Sequence, residues 1–330
     1  MSKLLSICIP SFNMEEYLSR CVDSMLVDEV LDQLEIIIVN DGSKDGTLAI
    51  ANDYKQRYPQ SVVVIDKPNG HYGSCINASL KVATGKYFRI VDADDWVDSQ
   101  ALAQLVKKLN DLDVDCVCTK YATRWIDGMD VQPLDVPFNE ILDLNQYVLP
   151  IPNLRMHGLI YSTNLLRNID YVQTEGICYT DTEYLYIPLS CAQNIFFMDI
   201  VLYQYYVARD GQSMDTEQRI KNDAHFYKIM EKVDIVHGSN LPFNENEPRI
   251  WSFTQSNIIE WCAIVYIFFF EFDHTKENAL RRVIAELRHD NALWFSGLWS
   301  KKRMAIFYLW YFSGEKLSKL ILQPFRKLKR

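Results

Sequence analysis

Short apolar runs that end in polar turn residues alternate with stretches of helical spacing over the first hundred residues, and nothing else in the chain constrains the fold as strongly. Leu4 to Ile9 is closed by Pro10, Ser11 and Asn13. Glu35 to Val39 is closed by the loop Asn40 to Thr47, Val62 to Ile65 by Lys67 to Ser74, and Lys86 to Val91 by Asp92-Ala93-Asp94-Asp95. Runs of this length bounded by Gly, Pro, Asn and Asp read as buried strands. Between them Glu15 to Leu26, Leu48 to Arg57 and Cys75 to Ala83 put their apolar residues on one helical face. Such alternation predicts βαβ units with right-handed crossovers, hence an α/β chain with a mainly parallel sheet. Loops that follow parallel strands gather along one edge of the sheet, so these four loops are expected to share one cleft.

The fourth loop carries the chemistry. Phe88-Arg89-Ile90-Val91 runs into three carboxylates within four residues, Asp92, Asp94 and Asp95. Acids this close repel unless a cation joins them, and a hard divalent ion takes one or two carboxylates together with phosphate oxygens. The plainer alternative is that Asp95 or Asp98 caps the helix Ser99 to Leu109. Capping accounts for one acid, at most two, and spacing alone leaves both readings open. The 330 residues are 48% hydrophobic and 23% charged, enough for one large or two ordinary domains. A net charge of −9 argues against general nucleic-acid binding. The eight cysteines show no CxxC pair or zinc spacing, which fits a reducing cytoplasm. No basic stretch precedes a long apolar core at the N-terminus, so Leu4 to Pro10 reads as a strand and not as a signal peptide. Neither GxGxxG nor GxxxxGK[ST] is present in the expected places, which excludes the common dinucleotide and P-loop sites.

Four segments in order, Ile9-Pro10-Ser11-Phe12-Asn13, Val39-Asn40-Asp41-Gly42-Ser43-Lys44-Asp45-Gly46-Thr47, Ala83-Thr84-Gly85-Lys86-Tyr87 and Asp92-Ala93-Asp94-Asp95, resemble family 2 glycosyltransferases of the GT-A fold, of the bacterial cell-surface polysaccharide type. The resemblance implies a Rossmann-like GT-A catalytic domain over 1–215 and a helical region over 216–330. It implies an inverting, metal-dependent transfer of a sugar from a nucleotide diphosphate donor to an acceptor hydroxyl, in polysaccharide or glycoconjugate synthesis. Pro10, Phe12 and Asn13 would line the nucleotide, with Phe12 stacked on the base. Asp41 would accept the N3–H of uracil, which favours a UDP-sugar; the plainer reading of this pair is a core aromatic and a turn aspartate. Asp92 and Asp94 match the DxD pair. Asp92 would contact the ribose or the metal's waters, and Asp94 would bind the Mn²⁺ or Mg²⁺ that bridges the diphosphate. Asn77 falls at a helix start near the donor. The arginine that often precedes it is Ile76 here, a departure that leaves His71, Tyr72 or the N–H groups near Gly73 and Ser74 as stand-ins. Met156 to Tyr161 resembles an acceptor-side segment that often reads Trp-x-Lys-Leu-Tyr, with His157 and Tyr161 as its candidates. Thr174 to Tyr184 resembles the catalytic-base segment Glu-Asp-x-Glu: Thr180 replaces the first acid and Asp181 keeps the second. Asp181 is the expected base, with Glu183 as the alternative. Arg209 and Ser213 follow the strand expected at Ile195 to Val207 and would reach the diphosphate.

A further strand is expected at Val114 to Tyr121. Past Asp215, Gln218 to Val236, Ile258 to Phe272 and Leu280 to Trp294 read as helices. Ile258 to Phe272 holds Glu260 and Glu271 and is shorter than the roughly 20 apolar residues of a membrane span. The tail beyond Trp294 mixes lysines and arginines with Trp299, Phe307, Trp310 and Phe312, a pattern suited to an anionic membrane surface or to an ordinary helical packing module. With the resemblance, this gives a saccharide or lipid-linked saccharide acceptor, no nucleic acid, and a cytoplasmic protein whose tail leaves open a peripheral place at the inner face of the cell membrane or a contact with another protein. The rival from another class is a non-catalytic subunit that binds a nucleotide sugar and partners a transferase.

Overall fold

The computed structural model describes residues 3–207, 221–269 and 274–290, with single positions at 218, 295, 304, 307–308 and 311–312. Arg209 and Ser213 lie outside the described residues, as does nearly all of the basic tail. The chain divides into two compact units. One is Met1–Gln212 with Asn240–Glu247, and the other is Ser213–Ser239 with Pro248–Arg330.

The first unit is built on one mixed sheet. Its strands are β1 (Leu5–Ser11), β2 (Leu34–Asp41), β3 (Val62–Lys67), β4 (Tyr87–Ile90), β5 (Trp96–Val97), β6 (Cys116–Trp125), β7 (Gly128–Val131), β8 (Ile141–Asp143), β9 (Leu159–Ser162) and β10 (Asn194–Tyr206). The order across the sheet is β3-β2-β1-β4-β9-β6-β10-β5, with β7 on β6 and β8 on β10. β3, β2, β1 and β4 run parallel, and β10 runs parallel to β6. β9 lies antiparallel between β4 and β6, so β1, β2, β3, β4, β6 and β10 all point the same way. Every residue of β1 and β2 is buried, as expected for strands covered by neighbours and helices on both faces. Helices α1 (Leu18–Asp23), α2 (Thr47–Arg57), α3 (His71–Val82), α4 (Ser99–Leu109), α5 (Thr163–Asn168) and α6 (Asp181–Cys191) complete this unit.

One polar tie and one close backbone approach hold the centre of the sheet. Glu35 is buried at the start of β2, where it accepts from Ser6 Oγ at 2.5 Å and from Thr84 N and Oγ1 at 2.8 Å. The tie joins β1, β2 and the turn into β4. Gly85 in that turn lies so close that an added Cβ would meet the Ser6 nitrogen at 2.5 Å, so a side chain there would push β4 off β1. The eight cysteines are free thiols, and seven of them are buried as small hydrophobes.

The expected elements shift where side chains from neighbouring loops intervene. The helix expected at Glu15 to Leu26 is confined to α1. Residues ahead of it are spent on the next loop: Met14 N donates to Thr47 Oγ1 at 2.7 Å, and the Glu15 carboxylate takes the Gly46 N–H at 2.6 Å. α3 begins four residues earlier than expected, at His71, whose φ of 63° starts the helix from a left-handed residue. The open choice of cap for α4 resolves to Asp98, which accepts from Ala101 N at 2.8 Å. Asp95 is left for another purpose.

The second unit is helical. It contains α7 (Asp223–His237), nearly all of α8 (Glu247–Phe269), and α9 (His274–Asp290). Gln255 of α8 donates to the Met230 carbonyl at 3.2 Å, the His237 and Trp251 rings stack 4.6 Å apart, and Arg282 of α9 pairs with Asp234. No helix among the described residues is long and apolar enough to cross a membrane.

Candidate active site

The ends of β1, β2, β3, β4, β6 and β10 and the start of β9 meet at one edge of the sheet. Among the described residues five non-glycine residues have positive φ, and three of them, Asn13, His71 and Tyr179, sit in its loops. Such conformations persist only where the surroundings hold them.

At the β1–β3 end the loops form a bracket. Pro10 is buried within β1, while Phe12 is 45% exposed at the strand's end. Asn13 is committed to the neighbouring loop: its N–H reaches Ser43 Oγ at 3.0 Å and its Oδ1 takes the Lys44 N–H at 2.8 Å. Asp41, the last residue of β2, is buried. Its Oδ1 accepts from Lys67 Nζ at 2.5 Å and from the Gly70 N–H at 2.9 Å. Asn77 is committed to another segment. Its amide grips the segment ahead of α6, donating to Gln173 O and Glu175 Oε1 at 2.8 Å and accepting from Gln173 N at 2.9 Å. Ile76 is fully buried in the core.

The acids after β4 are arranged around tyrosines. Tyr72 donates to Asp92 Oδ1 at 2.7 Å. Tyr203 donates to Asp95 Oδ2 at 2.6 Å while its oxygen accepts from the Asp92 N–H at 3.1 Å, and the Tyr206 N–H reaches Asp95 Oδ1 at 2.7 Å. Asp94 is half-buried, and its carbonyl accepts from Arg20 at 2.7 Å. The Arg20 guanidinium lies 4.1 Å from the centre of the Trp96 ring and 4.9 Å from that of Tyr206, which fixes the loop from outside. Burial, then the charges of Asp92 and Asp94, push Asp95 well above the usual carboxylate range.

His157 stands beside this loop. Its ring packs against Tyr205, Tyr203 and Tyr121 at 4.6, 4.8 and 5.2 Å, and its carbonyl accepts from the buried Arg89 at 3.0 Å. Burial and the nearby Arg155 and Arg89 pull the imidazole down to about 3, so it is neutral at physiological pH. Ligand atoms of Asp92, Asp95 and His157 all lie within 4.8 Å of one another. Two carboxylates and a neutral imidazole suit a divalent cation such as Mn²⁺. Asp94 belongs to the same loop but stands outside this trio.

Asp181 opens α6 and is half-buried. Burial raises its carboxyl above the usual range, while its own N–H, that of Thr182 and the Arg155 charge pull it back. Burial comes first in raising Tyr72, with Asp92 and then Asp181 adding to it, and Tyr205 feels Asp95, Asp92, Asp181 and Asp94 in turn. Glu183, the alternative base, is fully buried, and its Oε2 accepts the Thr174 N–H at 2.8 Å. It braces the loop before α6. Tyr161 is also sealed in the core, its hydroxyl on the Leu185 carbonyl.

Lys67, Arg20, Arg89, Tyr203 and Tyr205 carried no signal of a role in the sequence. A run of three tyrosines within Tyr203 to Tyr206 was visible, but a register break between Met198 and Tyr203 decides which of them turn toward the acids.

Residues 6–145 match the profile of Glycosyl transferase family 2. This segment is a family 2 glycosyltransferase domain. Similar curated proteins include the uncharacterized glycosyltransferase EpsJ of Bacillus subtilis (strain 168), 34% identical over 142 residues, or 43% of this chain and 41% of EpsJ. Chondroitin synthase of Pasteurella multocida (strain Pm70) is 41% identical over 117 residues, 35% of this chain and 12% of the synthase. The chain thus aligns with less than half the length of these relatives. Among solved structures, residues 1–349 of S. aureus TarS in complex with UDP superpose with a TM-score of 0.67 at 18% identity, covering 98% of this chain and 91% of TarS 1–349. The mannosyltransferase PcManGT of Pyrobaculum calidifontis, in complex with GDP-Man and Mn²⁺, gives 0.55 at 16% identity, covering 99% and 88%. The glycosyltransferase domain therefore has the GT-A architecture, and its matched segment ends before Asp181 and His157.

Proposed function

We propose that the protein is an inverting glycosyltransferase that moves a sugar from a UDP-sugar to the hydroxyl of a saccharide or lipid-linked saccharide. The observation that carries this reading is the convergence at one sheet edge of a buried base-side carboxylate, Asp41, an acid cluster around Asp92, and a separate carboxylate, Asp181, with its proton affinity raised. Phe12 offers a face for the base, and Asp41 takes its imide N–H. Asp92 and Asp94 would hold a divalent cation, with His157 as a nitrogen donor beside them; bound there, the ion neutralises charge on the departing diphosphate. Asp95 steadies the loop through Tyr203 and Tyr206. Asp181 accepts the proton of the acceptor hydroxyl as that oxygen attacks the anomeric carbon and the UDP oxygen leaves from the opposite side, a single displacement that inverts configuration. Its raised value makes it a stronger base than a solvent-exposed aspartate.

The UDP complex of TarS supports a uridine donor and the Mn²⁺ complex of PcManGT supports a metal, each by analogy of fold. The test is thermal stabilisation and product formation with UDP- and GDP-sugars in Mn²⁺, Mg²⁺ or EDTA. Cation-dependent stabilisation by a UDP-sugar, followed by turnover with an acceptor and an inverted anomeric centre in the product, is the expected result. Stabilisation without any turnover across acceptors, including hydrolysis, would replace it with the non-catalytic partner subunit.

A further inference from the structure

We propose that Lys67 is a positioning residue that turns Asp41 into a one-oxygen reader of the nucleobase and so selects uracil over guanine; the proposal rests on the donor-site reading above. Asp41 and Lys67 end neighbouring parallel strands and are partners in register, so the sheet itself sets them side by side. Lys67 Nζ has three hydrogens and three acceptors: Asp41 Oδ1 at 2.5 Å, Pro68 O at 2.8 Å and Ser74 Oγ at 2.8 Å. Ser74 in turn donates its own hydrogen to the His71 carbonyl at 2.6 Å, which leaves its oxygen to accept. The ammonium therefore has no hydrogen left for a ligand. Asp41 Oδ1 receives the Gly70 N–H as well, at 2.9 Å, and both its lone-pair directions are used. The Asp41 carbonyl is fixed by Asn69 Nδ2 at 3.0 Å.

Among the described residues no N–H or O–H donor reaches Asp41 Oδ2. The Cys75 thiol, a weak donor, lies against the carboxylate as a side-chain hydrogen-bond partner and also reaches the His71 carbonyl at 3.7 Å. The carboxylate thus offers a ligand one oxygen. The uracil edge presents a single N–H between two carbonyls, and one oxygen satisfies it. A second unengaged oxygen would be pressed toward a uracil carbonyl. Guanine presents two adjacent N–H groups, which a carboxylate pairs with only when both of its oxygens are available. With Oδ1 committed, one guanine donor goes unpaired at a buried site, and that loss is what discriminates. The two structural neighbours described above carry UDP and GDP-Man, so the fold alone does not choose between the bases.

The experiment is calorimetric titration of UDP and of GDP, each with Mn²⁺, into wild type, Lys67→Met, Ser74→Ala and Asp41→Asn, with thermal melting of each variant. Wild type is expected to prefer UDP by at least about tenfold. In Lys67→Met the freed Oδ1 should lower that ratio by about tenfold, the scale of one lost polar contact. Ser74→Ala keeps the charge but loosens the ammonium, and should lower the ratio by a smaller factor of about three. A merely structural lysine would weaken UDP and GDP alike and leave the ratio unchanged. An unchanged ratio in folded Lys67→Met overturns the proposal, and if that variant does not fold, an unchanged ratio in Ser74→Ala does so. Wild type that binds neither nucleotide overturns the donor-site reading and this proposal together. UDP binding lost in Asp41→Asn, with the ratio intact in Lys67→Met, overturns the proposal alone.

Discussion

Asp41 and Asp95 are both buried carboxylates at the same edge of the same sheet, with exposures of 3% and 1%, yet they are accommodated in opposite ways. Asp41 has a lysine in contact and a backbone N–H on the same oxygen, so its charge is balanced inside the protein. Asp95 has two hydrogen-bond donors but, among the described residues, no cation in contact, and two further acids, Asp92 and Asp94, act on it through the same loop. The first arrangement is complete and rigid, suited to reading a shape. The second concentrates like charge and is suited to receiving a cation. On the proposed reading, base recognition would be pre-organised in the polypeptide, and the diphosphate end would depend on an ion.

The contrast can be broken at four points. Asp181→Asn removes the proposed base with little change of size, and turnover should fall about 10²- to 10⁴-fold while UDP affinity stays within about twofold. Retained turnover would move the base elsewhere. Asp94→Ala should abolish the extra stabilisation that a UDP-sugar gains from Mn²⁺, about 2.7 kcal/mol at a hundredfold excess over Kd, while metal-free melting changes little. Unchanged Mn²⁺ dependence would place the ion on Asp92, Asp95 and His157 without Asp94. Asn77→Ala strips three hydrogen bonds from the loop that carries Asp181 and strands the buried Gln173 N–H, at a cost of about 2 kcal/mol. Chemical denaturation reads that loss, and a larger effect on kcat than on nucleotide affinity would show that the loop serves the base and not the donor.

The smallest effect is a pH dependence. Asp95 and Asp181 have folded values above their unfolded ones, so the folded state holds more protons between the two values. Metal-free stability should therefore fall as pH rises from the ordinary carboxylate value of 3.8 through the raised ones. A cation competes with the Asp95 proton, so Mn²⁺ should stabilise more at about pH 8 than at about pH 5. Equal stabilisation at both would mean that Asp95 does not ionise on metal binding.

Much of the site was legible as spacing. Each polar loop follows a parallel strand, and their gathering at one edge is a property of the topology, so Pro10, Phe12, Asp41, Asp92 and Asp94 could be placed there from the sequence. Asn77 was harder to read because a buried amide has no sequence signal for its partner, and its partners lie 96 and 98 residues away. His157 was expected on the acceptor side. Its approach to Asp92 follows from β9 running backwards between β4 and β6, which brings the start of that strand to the edge where the others end.

The sequence by itself determined the sheet's first four strands, the loops after them and the residue types those loops offer, because strand periodicity and turn chemistry act over a few residues. Tertiary structure alone decided what each polar group does. The register of β2 and β3 gave Asp41 its lysine. The register break in β10 brought Tyr203 and Tyr206 to Asp95, and Asp98 took the helix cap that would otherwise have occupied an acid of the cluster. The reason is that a buried charge or amide is fixed by whichever partner the fold brings within about 3 Å, and the sequence carries no direct measure of that distance.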